Sequence, residues 1–123
     1  MNSSKALLFV DDEPEILDIL SDLFQDEGYN LYTATRVDEA LDIIENNNVD
    51  FILSDLKLPD SSGVNLLEKV KVLNPETVRV LTSGYLDIGF GCITEDKHSG
   101  TIMVSKPWDL NTLKQLVAEK IGA

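Results

Sequence analysis

The sequence has one cysteine, one histidine and few basic residues. A single cysteine, Cys92, excludes an internal disulfide and any zinc site built from several cysteines, so a reducing compartment is allowed. His98 stands alone in a polar stretch without a second ligand candidate nearby, and we interpret it as a solvated loop histidine.

Long hydrophobic runs are also missing near the N-terminus. The apolar run Ala6–Val10 has five residues before three acids follow, which is too short for a signal-peptide core or a membrane span. We therefore expect a cytoplasmic protein that does not associate with a membrane.

Positive charge is scarce, because 22 acidic residues stand against 10 basic ones and the formal net charge is −12. The negative electrostatic potential that results disfavours binding to nucleic acid or to an anionic membrane. It suits a metal cation or a basic partner better, although an acidic surface is often only solubilising. The 123 residues, 43% of them hydrophobic, predict one globular domain over residues 1–123.

Short apolar segments alternate with amphipathic segments of helical spacing along the chain. This alternation predicts right-handed βαβ crossovers and a doubly wound, five-stranded parallel sheet, a three-layer α/β sandwich with five helices. A flavodoxin-like sheet would have the strand order 2-1-3-4-5. The predicted strands are Ala6–Val10, Asn30–Ala34, a third strand from Phe51 to Asp55, Val78–Leu81 and Thr101–Ser105.

The segment from Tyr85 to Gly100 is the least regular part of the pattern. Gly89 and Gly91 interrupt it, and its apolar residues show no clean period. We expect the fourth helix to be short or distorted there.

Polar side chains stand where four of the five predicted strands end. Asp11 and Asp12 follow the first strand, Asp55 ends the third, and Ser83 and Lys106 follow the fourth and fifth. Three converging carboxylates repel one another, and a hard divalent cation resolves that repulsion. Each residue has an ordinary alternative as a helix cap, a turn residue or a solvated lysine, but their coincidence at successive strand ends favours a site.

This set of groups suits phosphoryl chemistry. A carboxylate nucleophile can attack phosphorus while Mg²⁺ neutralises the phosphoryl oxygens and a lysine and a hydroxyl hold the product. Asp55 would become an aspartyl phosphate. Thr82 competes with Ser83 as the hydroxyl, since each is a hydroxyl residue followed by a small one.

Several short motifs carry a family resemblance over essentially the whole chain. The sequence resembles the receiver domains of two-component response regulators, of the kind found in chemotaxis regulators. The motifs are Val10-Asp11-Asp12-Glu13, Ser54-Asp55 with Pro59 four and Gly63 eight residues further on, Ser83-Gly84-Tyr85, and Lys106-Pro107-Trp108.

The resemblance implies a role for each matching residue. Asp55 is the phosphoacceptor, Asp11 and Asp12 are the acidic pair, and Lys106 pairs with the phosphoryl group. Asp12, Asp55 and the backbone carbonyl of Lys57 coordinate Mg²⁺. The resemblance also allows the Lys106–Pro107 peptide bond to be cis, an isomer that proline makes accessible. The distance from Asp55 and the Gly-Tyr that follows fit the family pattern better for Ser83 than for Thr82 as the switch hydroxyl.

Two departures from the family pattern concern the output of the switch. Met103 occupies the position, three residues before the lysine, where an aromatic ring often reports phosphorylation. The glycine-interrupted segment has one apparent surplus residue between Ser83 and Lys106. The first affects the part of the switch that an aromatic ring would report. The second affects the face made by the fourth helix, fifth strand and fifth helix, through which such domains meet an effector domain or a second copy.

The expected function is a phosphorylation-dependent signalling switch in a phosphorelay. A sensor histidine kinase or a phosphotransfer protein would donate the phosphoryl group. Lys57 and Tyr85 would hinder the hydrolytic water, so self-dephosphorylation should be slow, and no other substrate turnover is expected.

A receiver-like interaction module that is never phosphorylated is the main alternative. A metal-dependent phosphatase is disfavoured because Lys57 stands where such enzymes commonly need an acid. A flavodoxin is disfavoured because acids follow the first strand in place of a phosphate loop. The sequence leaves open whether the domain stands alone or belongs to a longer regulator.

Overall fold

A six-stranded sheet forms the centre of the computed structural model, which describes residues 5–83, 93–96, 100–106 and 108–122. Its spatial order is β2-β1-β3-β4-β6-β5. The strands are β1 (Ala6–Val10), β2 (Asn30–Ala34), β3 (Phe51–Asp55), β4 (Val78–Ser83), β5 (Ile93–Asp96) and β6 (Thr101–Ser105).

Five of these strands are parallel, and their order β2-β1-β3-β4-β6 is the predicted 2-1-3-4-5 arrangement. The fold-class prediction is therefore confirmed for the parallel sheet. Every residue of β1 is buried, as expected for a strand covered on both faces. The register pairs Asp55 with Thr82 and Ser83 with Ser105, so the carboxyl ends of the strands finish at one edge.

Four helices are described, and they cover both faces of the sheet. They are α1 (Pro14–Phe24), α2 (Val37–Asn46), α3 (Gly63–Leu73) and α4 (Leu110–Ile121). Pro14 begins α1, where its missing N–H costs nothing. The side chains of Ser62 and Asp109 cap α3 and α4 by accepting from backbone N–H groups of the first turn.

Two apolar clusters, one on each face, hold these layers together. The first cluster joins α1 and α4 to the sheet and contains the stacked rings of Phe9 and Phe24. The second cluster joins α2 and α3 to the other face, with Ile52 and Leu66 fully buried. The alternation of Leu7 and Phe9 with Leu8 and Val10 between the clusters shows why β1 reads as a continuous apolar run.

Residues 93–96 differ from the sequence prediction. They form β5, which pairs antiparallel with β6, where a helical segment was expected. Ile93 and Thr94 are β-branched, β6 offers an open edge, and Gly100 adopts a positive φ of 74° just before β6 begins. The last parallel strand is therefore not the edge of the sheet.

The rest of the predicted fourth helix, residues 84–92 and 97–99, lies outside the described residues, as does Pro107. The predictions for Tyr85, Cys92, His98 and the Lys106–Pro107 bond therefore lie outside them too. None of the helices in the described ranges is both long enough and apolar enough to cross a membrane.

Candidate functional site

The carboxyl ends of β1, β3 and β6 bring three charged side chains together. Lys106 Nζ lies 3.1 Å from Asp11 Oδ2 and 3.3 Å from Asp55 Oδ1. The lysine side chain is 21% exposed and that of Asp55 is 15% exposed. One ammonium group is therefore shared by two largely buried carboxylates that belong to different strands.

The two carboxylate oxygens of Asp11 accept hydrogen bonds from different groups. Asp11 is buried, and its Oδ1 accepts a hydrogen bond from the backbone N–H of Glu13 at 2.9 Å. Its Oδ2 accepts from Lys106. The sequence left open whether Asp11 caps the first helix or belongs to a site. Its Oδ1 bond reaches the residue just before α1, which has no side-chain cap of its own, and the role of Asp11 in a site stays a prediction.

The pKa values of Asp55 and Lys106 are both shifted at this site. Burial raises the pKa of Asp55 above its ordinary value, and repulsion by Asp11 adds to the rise, while Lys106 opposes it. Burial acts to lower the pKa of Lys106, but the charges of Asp11 and Asp55 outweigh it and raise that pKa. Lys106 thus offsets only part of the burial and repulsion that raise the pKa of Asp55.

Asp12 completes an acidic cluster at the same point. One carboxylate oxygen from each of Asp11, Asp12 and Asp55 lies within 4.8 Å of the others. Asp12 is exposed, so the cluster opens to solvent on that side. Three oxygen ligands that are partly uncompensated fit a hard divalent cation such as Mg²⁺.

The loop after β3 is shaped by a close approach between backbones. Gly63 N–H donates to the carbonyl of Leu56 at 2.8 Å, and Lys57 forms an isolated bridge with Ser62. A Cβ added at Gly63 would lie 2.1 Å from the backbone oxygen of Asp55. Only glycine therefore lets α3 begin directly against the end of β3. Lys57, whose carbonyl the resemblance assigns to Mg²⁺, is exposed in this loop.

Asp60, in the same loop, has a role that the sequence analysis missed. Its carboxylate accepts from the backbone N–H groups of Val37 at 2.8 Å and Asp38 at 3.1 Å. The N-cap residue of α2, Arg36, makes no side-chain cap of its own, so Asp60 caps α2 from another loop. The hydrogen bond from Val37 lowers the pKa of Asp60. An acid after Pro59 was visible in the sequence, but nothing local identified its partner.

The two candidate hydroxyl residues lie at the end of β4. Thr82 is buried, and its Oγ1 accepts a hydrogen bond from the indole Nε1 of Trp108 at 2.7 Å. Ser83 is also buried, and its backbone carbonyl accepts from the N–H of Lys106 at 3.1 Å. Ser83 thus neighbours the site lysine, while the Thr82 hydroxyl already serves Trp108, and the choice of Ser83 stays a prediction.

Met103 lies on β6, directly opposite Leu81 of β4. It is half-buried and packs against the second cluster, on the face that carries α2 and α3. A flexible thioether therefore occupies the position at which the family pattern places an aromatic ring.

The fold and the site define a doubly wound α/β domain with an acidic cluster and a lysine in the crevice at the carboxyl ends of its parallel strands. The family model described as the response regulator receiver domain matches residues 7–118. The chain belongs to this family of receiver domains of two-component signalling.

Individual relatives agree with this assignment. The chain is 32% identical to sporulation initiation phosphotransferase F of Bacillus subtilis over 93% of this chain and 91% of that protein. It is 33% identical to the response regulator protein PilR of Pseudomonas aeruginosa, over 96% of this chain but 26% of PilR. It thus corresponds to nearly all of one relative and about a quarter of the other.

Solved structures include close matches to the fold. A receiver domain protein described as CheY-like, from Methanospirillum hungatei JF-1, superimposes with a TM-score of 0.83. The match covers 96% of this chain and 94% of that one, at 31% sequence identity.

Proposed function

We propose that this protein is a phosphorylation-controlled switch in which Asp55 is the phosphoacceptor. The observation that carries the proposal is the Lys106 ammonium, shared between Asp55 and Asp11 beside the open carboxylate of Asp12. The name of the Bacillus relative, a phosphotransferase, supports phosphoryl chemistry in this family.

In the proposed reaction a carboxylate oxygen of Asp55 attacks phosphorus. A bond from phosphorus to Asp55 forms as the bond to the donor group breaks, the donor being a phosphohistidine of a histidine kinase or phosphotransfer protein. Mg²⁺ held by Asp12, Asp55 and the Lys57 carbonyl, with Asp11 beside it, would neutralise charge on the transferring group. Lys106 then pairs with a phosphoryl oxygen.

The switch itself depends on the change of charge at Asp55. A phosphoryl group adds negative charge next to Lys106, and we expect it to draw the hydroxyl of Ser83 inward. Converting a mostly inactive population into a mostly active one requires roughly 5 kcal/mol of differential stabilisation. A buried, charge-assisted network of this kind can supply it.

The output surface proposed for this receiver lies around β6 and α4, within one receiver unit spanning residues 1–123. An effector domain or a second copy of the chain would bind there. β5 extends the sheet beyond β6 on this side, so a partner would meet an antiparallel strand next to the last parallel one.

Phosphorylation with a small donor tests the proposal. Incubation with acetyl phosphate and Mg²⁺ should add one phosphoryl group to the intact mass, and Asp55→Asn should abolish the addition. Asp26→Asn removes an exposed carboxylate just beyond α1 and is the matched control, which should be phosphorylated like the wild type.

The rival function is an interaction module that keeps the fold without phosphorylation. Met103 and the strand β5 favour it, because both change the part of the fold that transmits the signal. Absence of any Asp55-dependent mass increase, in protein that binds Mg²⁺ and is folded, would establish the rival. A phosphoryl lifetime of only seconds would contradict the expected slow self-dephosphorylation.

A further inference from the structure

Trp108 is the only tryptophan of the chain, and it lies between β6 and α4. It is half-buried and packs against the first cluster. A buried indole N–H needs an acceptor, and the hydroxyl of Thr82 provides one at 2.7 Å. The bond joins the end of β4 to a residue beyond β6, so it fixes the ring relative to the sheet.

The ring also faces the site lysine. Lys106 Nζ lies 5.5 Å from the centre of the Trp108 ring, within the range of a cation–π interaction. Among the described residues, the ammonium therefore lies beside the carboxylates of Asp11 and Asp55 and beside the indole.

Phosphorylation or cation binding changes the charge of some neighbours of Lys106 and not of others. Phosphorylation of Asp55 or binding of a cation changes the charge that the carboxylates present to Lys106. The indole carries no net charge, and neither phosphorylation nor cation binding changes that. Since a lysine side chain has four rotatable bonds, a constant neighbour limits how far the ammonium departs when its carboxylate partners change.

We propose that Trp108 is a positioning residue for Lys106, and that Thr82 acts through Trp108 by holding the indole. The functional part of this inference rests on the proposed role of Lys106 in phosphoryl binding. Its consequence for Thr82 is specific: this hydroxyl acts on the lysine indirectly, through the indole that it holds.

Nuclear magnetic resonance tests the placement without any phosphodonor. A proton above an indole face experiences a ring-current shift, so the ε-methylene protons of Lys106 should resonate upfield of those of a solvated lysine. Trp108→Leu removes the ring and should return this signal to the solvated position. Trp108→Phe keeps an aromatic face without the N–H donor and should retain part of the shift.

The pair of variants at Thr82 tests the support of the ring. Thr82→Val has the same shape but no acceptor, and it should reduce the shift of the Lys106 signal. Thr82→Ser restores the acceptor and should recover it. Thr112→Val, which removes a half-buried hydroxyl from α4, is the matched control and should leave the signal in place. These substitutions also keep the test available if Trp108→Leu does not fold.

The rate of phosphorylation by acetyl phosphate gives the functional readout. Loss of a cation–π contact should slow it by about 3- to 30-fold in Trp108→Leu, with a smaller effect in Thr82→Val. A Lys106 signal that stays in place in folded Trp108→Leu, or an unchanged rate, overturns the inference even if Asp55 is phosphorylated. If the wild type accepts no phosphoryl group, the proposed function fails, and the resonance position alone decides the role of Trp108.

Discussion

Replacing Gly63 by alanine should damage both the fold and the candidate site. Gly63 begins α3, and its N–H donates to the carbonyl of Leu56. A Cβ at this position would lie 2.1 Å from the backbone oxygen of Asp55 and 2.8 Å from Leu81 Cδ1. The leucine side chain can rotate away, but the Asp55 oxygen belongs to a sheet strand and cannot move alone.

The size of the effect follows from this geometry. Real Cβ atoms essentially never come within 3.0 Å of another heavy atom, so α3 and β3 must separate by roughly 1 Å. Such overpacking against a rigid backbone should cost about 2 to 3 kcal/mol. The strand end that carries Asp55 should shift with it, so the affinity for Mg²⁺ should fall as well.

Urea denaturation measures the loss in free energy of unfolding, and substitution of Gly28 serves as the comparison. Gly28 has a positive φ of 84°, and no atom of the described residues lies within 4 Å of a Cβ added there, so it is constrained by backbone conformation and not by space. Asparagine tolerates that conformation, and Gly28→Asn should cost no more than about 0.5 kcal/mol. Gly63→Asn should be at least as damaging as Gly63→Ala.

A loss below about 0.5 kcal/mol for Gly63→Ala, with unchanged Mg²⁺ affinity, would refute this reasoning. It would mean that α3 can withdraw from Asp55 without consequence, and that the close approach of the two backbones is not what requires glycine at this position.

Other predictions concern the cap of α2, a buried hydroxyl and the acidic cluster. Because the pKa of Asp60 is lowered in the folded protein, its stabilising effect is present above its ordinary value of 3.8 and is lost as the pH falls through the folded value. Asp60→Asn should therefore lower the melting temperature at neutral pH and flatten its acid dependence below about pH 4. Thr77→Val removes the buried hydroxyl that donates to the Val49 carbonyl at 2.7 Å and should cost about 1 to 2 kcal/mol in urea, whereas Thr77→Ser keeps the donor. Mg²⁺ at about ten times its dissociation constant should stabilise the fold by about 1.4 kcal/mol in calorimetry, and Asp12→Asn should diminish this effect.

Each of these predictions has an outcome that contradicts it. An acid dependence of Asp60→Asn identical to that of the wild type would show that the cap of α2 does not stabilise the fold. Equal losses for the valine and serine variants of Thr77 would point to packing as the cause. A rise in melting temperature that NaCl of the same ionic strength reproduces would indicate screening of the acidic surface and not a bound cation.

The parallel part of the fold and the convergence of the charged residues were predictable from the sequence. Apolar runs that stop at Asp11, Asp55 and Lys106 identify strand ends, and parallel strands connected by helices place their carboxyl ends at one edge. These signals are local, since they depend on the period of a segment and on the turn that follows it. The roles of these residues in phosphoryl transfer stay predictions.

Local patterns were insufficient where a residue has a choice of partners. Residues 93–96 looked like part of an irregular helix, and they became a strand because β6 presented an open edge. In so short a segment the intrinsic strand and helix propensities of the residues differ little, and the tertiary environment decides which structure forms.

Tertiary structure also decided two long-range contacts of side chains near the strand ends. Asp60 caps a helix that begins 23 residues earlier, and Thr82 accepts from Trp108, 26 residues further on. Neither partner can be read from spacing, because each pair meets only after the helices have packed on the sheet. The sequence by itself determined which strand ends carry charge, and packing determined which side chains contact those charges.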